Sequence, residues 1–458
     1  MRTTACEAAR KEQNFRMKEK IVLIGAGSAM FTRGLVRDLI EARWELDLAL
    51  ADTDPAAIVV AERLSRRMIE TYNAPIALSA STDRRDVLAN ATAVICTIGV
   101  GGRRAWEQDV FIPRKYGIYQ PVGDTVMPGG ASRALRMIPA MVAIARDVLD
   151  LAPGALLFNY GNPMAPVCRG VHKATGADVV GLCHGVFFTG HYLASQLGCK
   201  THDLTCTAAG MNHLTWFTEV RIGANDAMPA LRELAKSKLL AEHERFINDN
   251  PFSWQLFDLF GAFPAVLDRH VSEFFPQFFA RGEYYGKTLG VDAYSFEDCI
   301  AYGDELYQQM SAHALSPEPL RGDYFDCIGG EHEQAVEILK SIRGNGERVY
   351  SVSLPNRGQV PNLPHDAPVE SPAITTANGF RPIMLPPLPA GVAGTLATRF
   401  AWVETIVEAA LEGSRDKFIQ ALVLDGAVDS IDTAAKLADE LLAAQAEYLP
   451  QFECLRKQ

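Results

Sequence analysis

"KIVLIGAGSAMF", residues 20–31, decides the fold. A short apolar run ends at Gly25, a second glycine follows at Gly27, and Phe31, Leu35 and Leu39 then recur at helical spacing. That order reads as strand, tight turn and helix. In such a turn the first glycine lets the backbone reverse, the second lets a diphosphate approach the main chain, and a third serves helix–strand packing. Met30 stands in the third place, a loss that packing absorbs. Ser28 and the amides opening the helix suit a diphosphate group.

Working outward, "ELDLALAD" at 45–52 forms a second strand ending in Asp52, placed to accept from ribose hydroxyls, which favours NAD over NADP. A glycine turn beside an acidic loop residue is the plainer alternative. The strands "TAVICTI" (92–98), "ALLFN" (155–159) and "ADVVGL" (177–182) continue the series, with helical stretches between them. Strands alternating with helices predict an α/β chain with a Rossmann-like, doubly wound parallel sheet. From about residue 200 the pattern changes. "LTCTAAGMNHLTWFTEVRI" reads as one or two antiparallel strands, 226–248 as helical, 352–390 as short strands and loops, and 398–447 as helical again. The expected organisation is a disordered extension over 1–18, an NAD-binding domain over 19–200, and an α+β domain over 201–458 for substrate, metal and subunit contacts.

The chain has 458 residues, 48% of them hydrophobic, with a net charge of -11, which disfavours nucleic acid or an anionic membrane as partner and points to a small molecule. Nine cysteines without regular spacing suit reduced thiols rather than a disulfide framework. No apolar leader or spanning segment precedes the first strand, so the cytoplasm is the expected compartment.

In doubly wound sheets ligands bind beyond the carboxyl ends of the strands. Asp52, Gly99, Asn162, Cys183 and His184 all fall there, and His213 follows another apolar run. A thiol beside an imidazole in "GLCHGV" (181–186) is by itself more often a buried cysteine and a hydrogen-bonded histidine. Neighbouring residues of an extended segment point opposite ways, so one of the pair can ligate a metal while the other faces a substrate.

Taken together, "GAGSAMF", "STDRRDVL", "KYGIYQPVGDTVMPGGASRALR", "NYGNPM", "GLCHGV", "GMNHLTW" and "PNRGQVPNLP" resemble glycoside hydrolase family 4, the NAD- and manganese-dependent glycosidases. The resemblance runs from about 19 to 447. It implies a fold like that of lactate and malate dehydrogenases and a homodimer or homotetramer. It also implies metal ligation by Cys183 and His213, a general acid at His184 and sugar contacts from Asn162. Manganese normally prefers oxygen donors, so a thiolate ligand is unusual for it.

The implied reaction avoids the carboxylate pair of ordinary glycosidases. NAD takes hydride from C3 of the sugar, the C2 proton becomes acidic under metal stabilisation, the aglycone leaves across C1–C2, water adds, and hydride returns. For the C2 base, Asp268 is nearest to an acidic position in the α-glycosidase branch, with His270 two residues on; Tyr284, Tyr285 and Asp109 are further candidates. Asp109 is also placed at the substrate or cofactor edge. The residue after the Cys-His pair tracks substrate class in this family, and Gly185 resembles members acting on unphosphorylated hexosides. "FPAVLDRHVSEFFP" instead resembles the α-galacturonidase branch, and Arg269 suits a uronate or sulfonate. A neutral α-glucoside or α-galactoside is therefore expected, with an anionic hexoside as the second reading. A 2-hydroxy-acid dehydrogenase and a non-catalytic NAD-binding sensor are the competing classes.

Overall fold

The computed structural model describes residues 19–240, 249–279, 295–328 and 334–452. The first segment builds a parallel sheet from β1 (Glu19–Ile24), β2 (Leu46–Ala51), β3 (Ile76–Ser81), β4 (Ala93–Cys96), β5 (Leu156–Asn159) and β6 (Val180–Gly181) in the order β6-β5-β4-β1-β2-β3. The central strands are almost continuously apolar because helices cover both faces. Those helices are α1 (Thr32–Ala42), α2 (Pro55–Thr71), α3 (Arg85–Leu88), α4 (Gly102–Arg114), α5 (Met127–Leu151), α6 (Met164–Thr175) and α7 (Gly185–Gln196).

The same sheet continues past residue 200. β7 (Leu204–Met211) and β8 (Leu214–Ile222) form the expected antiparallel hairpin, and β9 (Asn225–Asp226), β10 (Phe263–Ala265), β11 (Val349–Pro355), β12 (Pro368–Thr376) and β13 (Gly379–Pro382) complete it. β11 lies against β6, pairing Ser353 with Gly181, so the sheet crosses between the two halves without a break. The later helices are α8 (Met228–Leu240), α9 (Pro251–Phe260), α10 (Asp268–Val271), α11 (Phe296–Leu315), α12 (Ala335–Arg343), α13 (Ala390–Glu412), α14 (Arg415–Asp425) and α15 (Ile431–Ala444). One hydrophobic core joins Val22 and Val94 of the parallel strands to Trp216 of β8 and to Trp402 and Val407 of α13. The expected extension over 1–18 lies outside the described residues, as do Tyr284 and Tyr285. Among the described residues, no helix is long and apolar enough to cross a membrane.

Candidate active site

The cofactor end is built from backbone constraints. Gly25 has φ +88, its N–H donates to the Ala51 carbonyl, and a Cβ there would lie 2.8 Å from the Ile98 nitrogen. Only glycine fits. Gly27 donates to Asp52 Oδ2 at 2.7 Å, and a Cβ there would meet the same oxygen at 2.8 Å. Asp52 therefore holds the turn closed from the end of β2. Ser28 lies in the same turn and donates its N–H to the Gly25 carbonyl. Met30 points outward, 56% exposed, just ahead of α1, which begins at Thr32.

A second constellation lies beyond β5. Asp124, His213 and His270 bring their ligand atoms within 4.8 Å of one another. Asp124 belongs to a loop without regular structure that packs onto the start of α5. A Cβ at Gly130 would meet the Thr125 carbonyl carbon at 2.5 Å, and one at Gly129 the Gly123 oxygen at 2.7 Å, which accounts for the paired glycines of "MPGG". Gln120 Oε1 accepts from Gly129 N–H, and Asp425 Oδ2 from Met127 N–H.

His213 is the second residue of the connection between β7 and β8 and has φ +69, a left-handed conformation uncommon outside glycine that aims its ring. The Thr125 hydroxyl donates to Asp124 Oδ1 at 2.7 Å, so it accepts from His213 Nδ1–H at 2.7 Å, and the imidazole lone pair falls on Nε2. The His270 ring lies tilted by 42° against that of His213, centroids 4.0 Å apart, and its Nδ1 is buried without a partner. Burial, then the neighbouring His213 imidazole, holds His270 well below the ordinary histidine range, in the neutral form. Burial pulls the Asp124 carboxyl up, but the adjoining His213 and His270 rings and Arg133 outweigh it and hold it below the usual carboxylate range. A carboxylate with two imidazoles is a donor set that divalent first-row metals accept.

Asn162 reaches the same place. Its Nδ2 donates to Asp124 Oδ2 at 3.0 Å, and its Oδ1 is buried without a partner. Arg133 Nε donates to the Asn162 carbonyl at 3.0 Å. His184 sits half-buried at the N-terminus of α7, edge-on to Phe188 at 5.0 Å.

Two expectations require correction. Asp109 is not at a substrate edge: it is fully buried in α4, both its oxygens accept from Arg136, and Oδ1 also accepts from Gln445. Asp268 is not a free base. Fully buried, it accepts from Phe252 N–H at 3.0 Å, Ser253 N–H at 2.7 Å and Ser253 Oγ at 2.6 Å, capping the N-terminus of α9, and burial pushes its carboxyl up to about 6. Cys183 is not overturned: it lies outside the three-residue group, its Sγ accepts from Gly185 N–H, and it lines a cavity of about 280 Å3 with Phe187, Cys206 and Tyr350. Arg269 directs its Nη2 to Cys299 Sγ, and its Nε is buried without a partner. Asp124 escaped the sequence reading as a site residue, although "VGDTVMPGG" carried the signal.

A dinucleotide-type turn and a metal-competent cluster on one α/β sheet define the class: an enzyme pairing a nucleotide cofactor with a divalent cation. Comparison with known proteins specifies it. The profile of the family 4 glycosyl hydrolases matches residues 20–199, and that of their C-terminal domain residues 208–428. The chain is 31% identical to an alpha-galactosidase of Rhizobium meliloti (94% of this chain, 89% of that one) and 32% identical to an alpha-galacturonidase of Bacillus subtilis (89% and 92%). A 6-phospho-alpha-glucosidase from gut microorganisms, solved with NAD and Mn2+, shares the fold with a TM-score of 0.80 at 18% identity, covering 95% of this chain and 99% of that one. The protein belongs to glycosyl hydrolase family 4 and is a glycosidase.

Proposed function

We propose that the protein hydrolyses unphosphorylated α-hexosides, of the α-glucoside or α-galactoside type, with NAD and a divalent metal such as Mn2+. The observation that carries this reading is the convergence of Asp124, His213 and His270 beside Asn162, whose Oδ1 is buried and unmatched. Asp109 and Asp268, the two carboxyls expected from the sequence, are both committed to internal partners and are not available as a displacement pair at the anomeric carbon.

When bound, NAD supplies reversible removal of hydride from C3 of the sugar, and the cation supplies stabilisation of negative charge on the C2 and C3 oxygens. Gly25, Gly27, Ser28 and the first amides of α1 bind the diphosphate, and Asp52 accepts from ribose hydroxyls. Asp124, His213 and His270 hold the metal, with Cys183 as a fourth donor on the strength of the resemblance. Thr125 fixes the His213 tautomer, as an outer partner of a ligating imidazole does. Asn162 Oδ1 accepts from a sugar hydroxyl, and His184 gives a proton to the departing oxygen.

A second substrate, an anionic hexoside, is favoured by Arg269, whose guanidinium makes no ion pair among the described residues and keeps a buried Nε. A panel of α- and β-linked aryl glucosides, galactosides and uronides, assayed with NAD, Mn2+ and thiol and with each omitted in turn, tests both substrates. Hydrolysis without solvent deuterium entering C2 of the product would refute the oxidative route.

A further inference from the structure

The loop that carries Asp124 has no helix or strand to satisfy its amides, and buried amides need partners. Two of them, Val122 N–H and Gly123 N–H, donate to a single atom, Glu273 Oε1, each at 2.8 Å. On the other side of the loop, Trp106 Nε1 donates to the Val122 carbonyl at 2.8 Å. Gly123 has φ +66, and a Cβ there would press on Val110 Cγ2 at 2.6 Å, so the turn that directs both amides at the carboxyl tolerates only glycine.

Glu273 is 1% exposed and stands three residues beyond His270, just past α10. One side chain thus joins the backbone next to Asp124 to the segment that presents His270. The loop's other hydrogen bonds run to Trp106, Asn162, His213 and Asp425, and within the loop to Gln120.

We propose that Glu273 is a positioning residue for the divalent metal, its Oε1 clamping the 122–123 backbone so that Asp124 and His270 face the same point. The inference rests on the reading of Asp124, His213 and His270 as metal ligands. Glu273 touches neither sugar nor cofactor in this role. Its effect is felt as metal affinity, in the way that outer partners of ligands typically govern affinity by about 10- to 100-fold.

The test is Mn2+ titration followed by electron paramagnetic resonance, on full-length wild type, Glu273→Gln and Glu273→Ala, with NAD affinity measured in parallel by fluorescence. Glu273→Gln keeps a carbonyl oxygen for both amides and should stay within about threefold of wild type for Mn2+. Glu273→Ala should weaken Mn2+ binding at least about tenfold while NAD affinity moves less than about twofold. If the alanine variant does not fold, Glu273→Asp, which withdraws the carboxyl by one methylene, replaces it under the same thresholds. Wild-type binding of Mn2+ with the alanine or aspartate variant within about twofold overturns the clamp alone; a wild type that binds no Mn2+ overturns the metal reading beneath it. Equal weakening by glutamine and alanine also overturns the clamp.

Discussion

Replacing Asp268 separates a structural carboxyl from a catalytic one. Its oxygens take three hydrogen bonds at the start of α9: two at Oδ1 from Ser253 and one at Oδ2 from Phe252. Each contributes on the order of 1 kcal/mol, so Asp268→Ala should cost about 3 kcal/mol. With an unfolding entropy of roughly 1 kcal/mol/K for a chain of this length, Tm should fall by about 3 °C. Asp268→Asn keeps the Oδ1 pair and loses the Phe252 bond, so it should cost about 1 kcal/mol and about 1 °C. A general base contributes roughly 10²- to 10⁴-fold to the rate, whereas a helix cap contributes nothing to the chemical step. The asparagine variant should therefore retain kcat on an aryl α-glycoside within about twofold. Differential scanning fluorimetry and steady-state kinetics on the same preparations decide the matter. A hundredfold fall in kcat with an unchanged Tm would refute the capping role.

Arg136→Met leaves the Asp109 carboxyl buried without its guanidinium and should cost about 3–5 kcal/mol at neutral pH by urea unfolding. Burial already raises this carboxyl, a shift whose stabilising contribution is present at low pH and lost as pH rises, so the deficit should grow from pH 4.5 to 7.5; equal deficits at both ends would contradict it. Gly25→Ala forces a Cβ onto Ile98 and should raise the NAD Kd more than tenfold, read by fluorescence quenching, with Mn2+ affinity retained. Asp124→Asn and His213→Ala should each weaken Mn2+ at least tenfold in the same resonance titration, and binding within threefold of wild type would remove that residue from the ligand set.

The parts legible in the sequence are those that local geometry determines. Gly25 and Gly27 follow from a turn that must reverse within a few residues, and Asp52 from the next strand's end, so the cofactor half can be read from one short stretch and its neighbour. His213 is legible because it follows the apolar run of β7 in a two-residue connection to the next strand. The errors fall where a side chain's partner is remote in sequence. Asp268 answers amides 15 and 16 residues earlier, in a helix that begins with Pro251 after Asn250, whose own side chain makes no cap; Asn250 instead accepts from the Asp268 amide at 3.3 Å. An uncapped helix start upstream of an isolated acid was the missed signal. Asp109 looked available because its mate, Arg136, lies 27 residues on in another helix. Asp124 was overlooked because its importance appears only when three distant segments meet.

The insertion of β11 beside β6 has a consequence for synthesis on the ribosome. β6 has only two residues, and its outer neighbour is contributed by Val349–Pro355, about 170 positions later. Until that late stretch emerges, the nascent nucleotide-binding half carries an unfinished edge, the kind of surface that recruits chaperones or mispairs with another chain. Nonsense or frameshift truncations anywhere before residue 349 should therefore yield insoluble fragments rather than a smaller working binder.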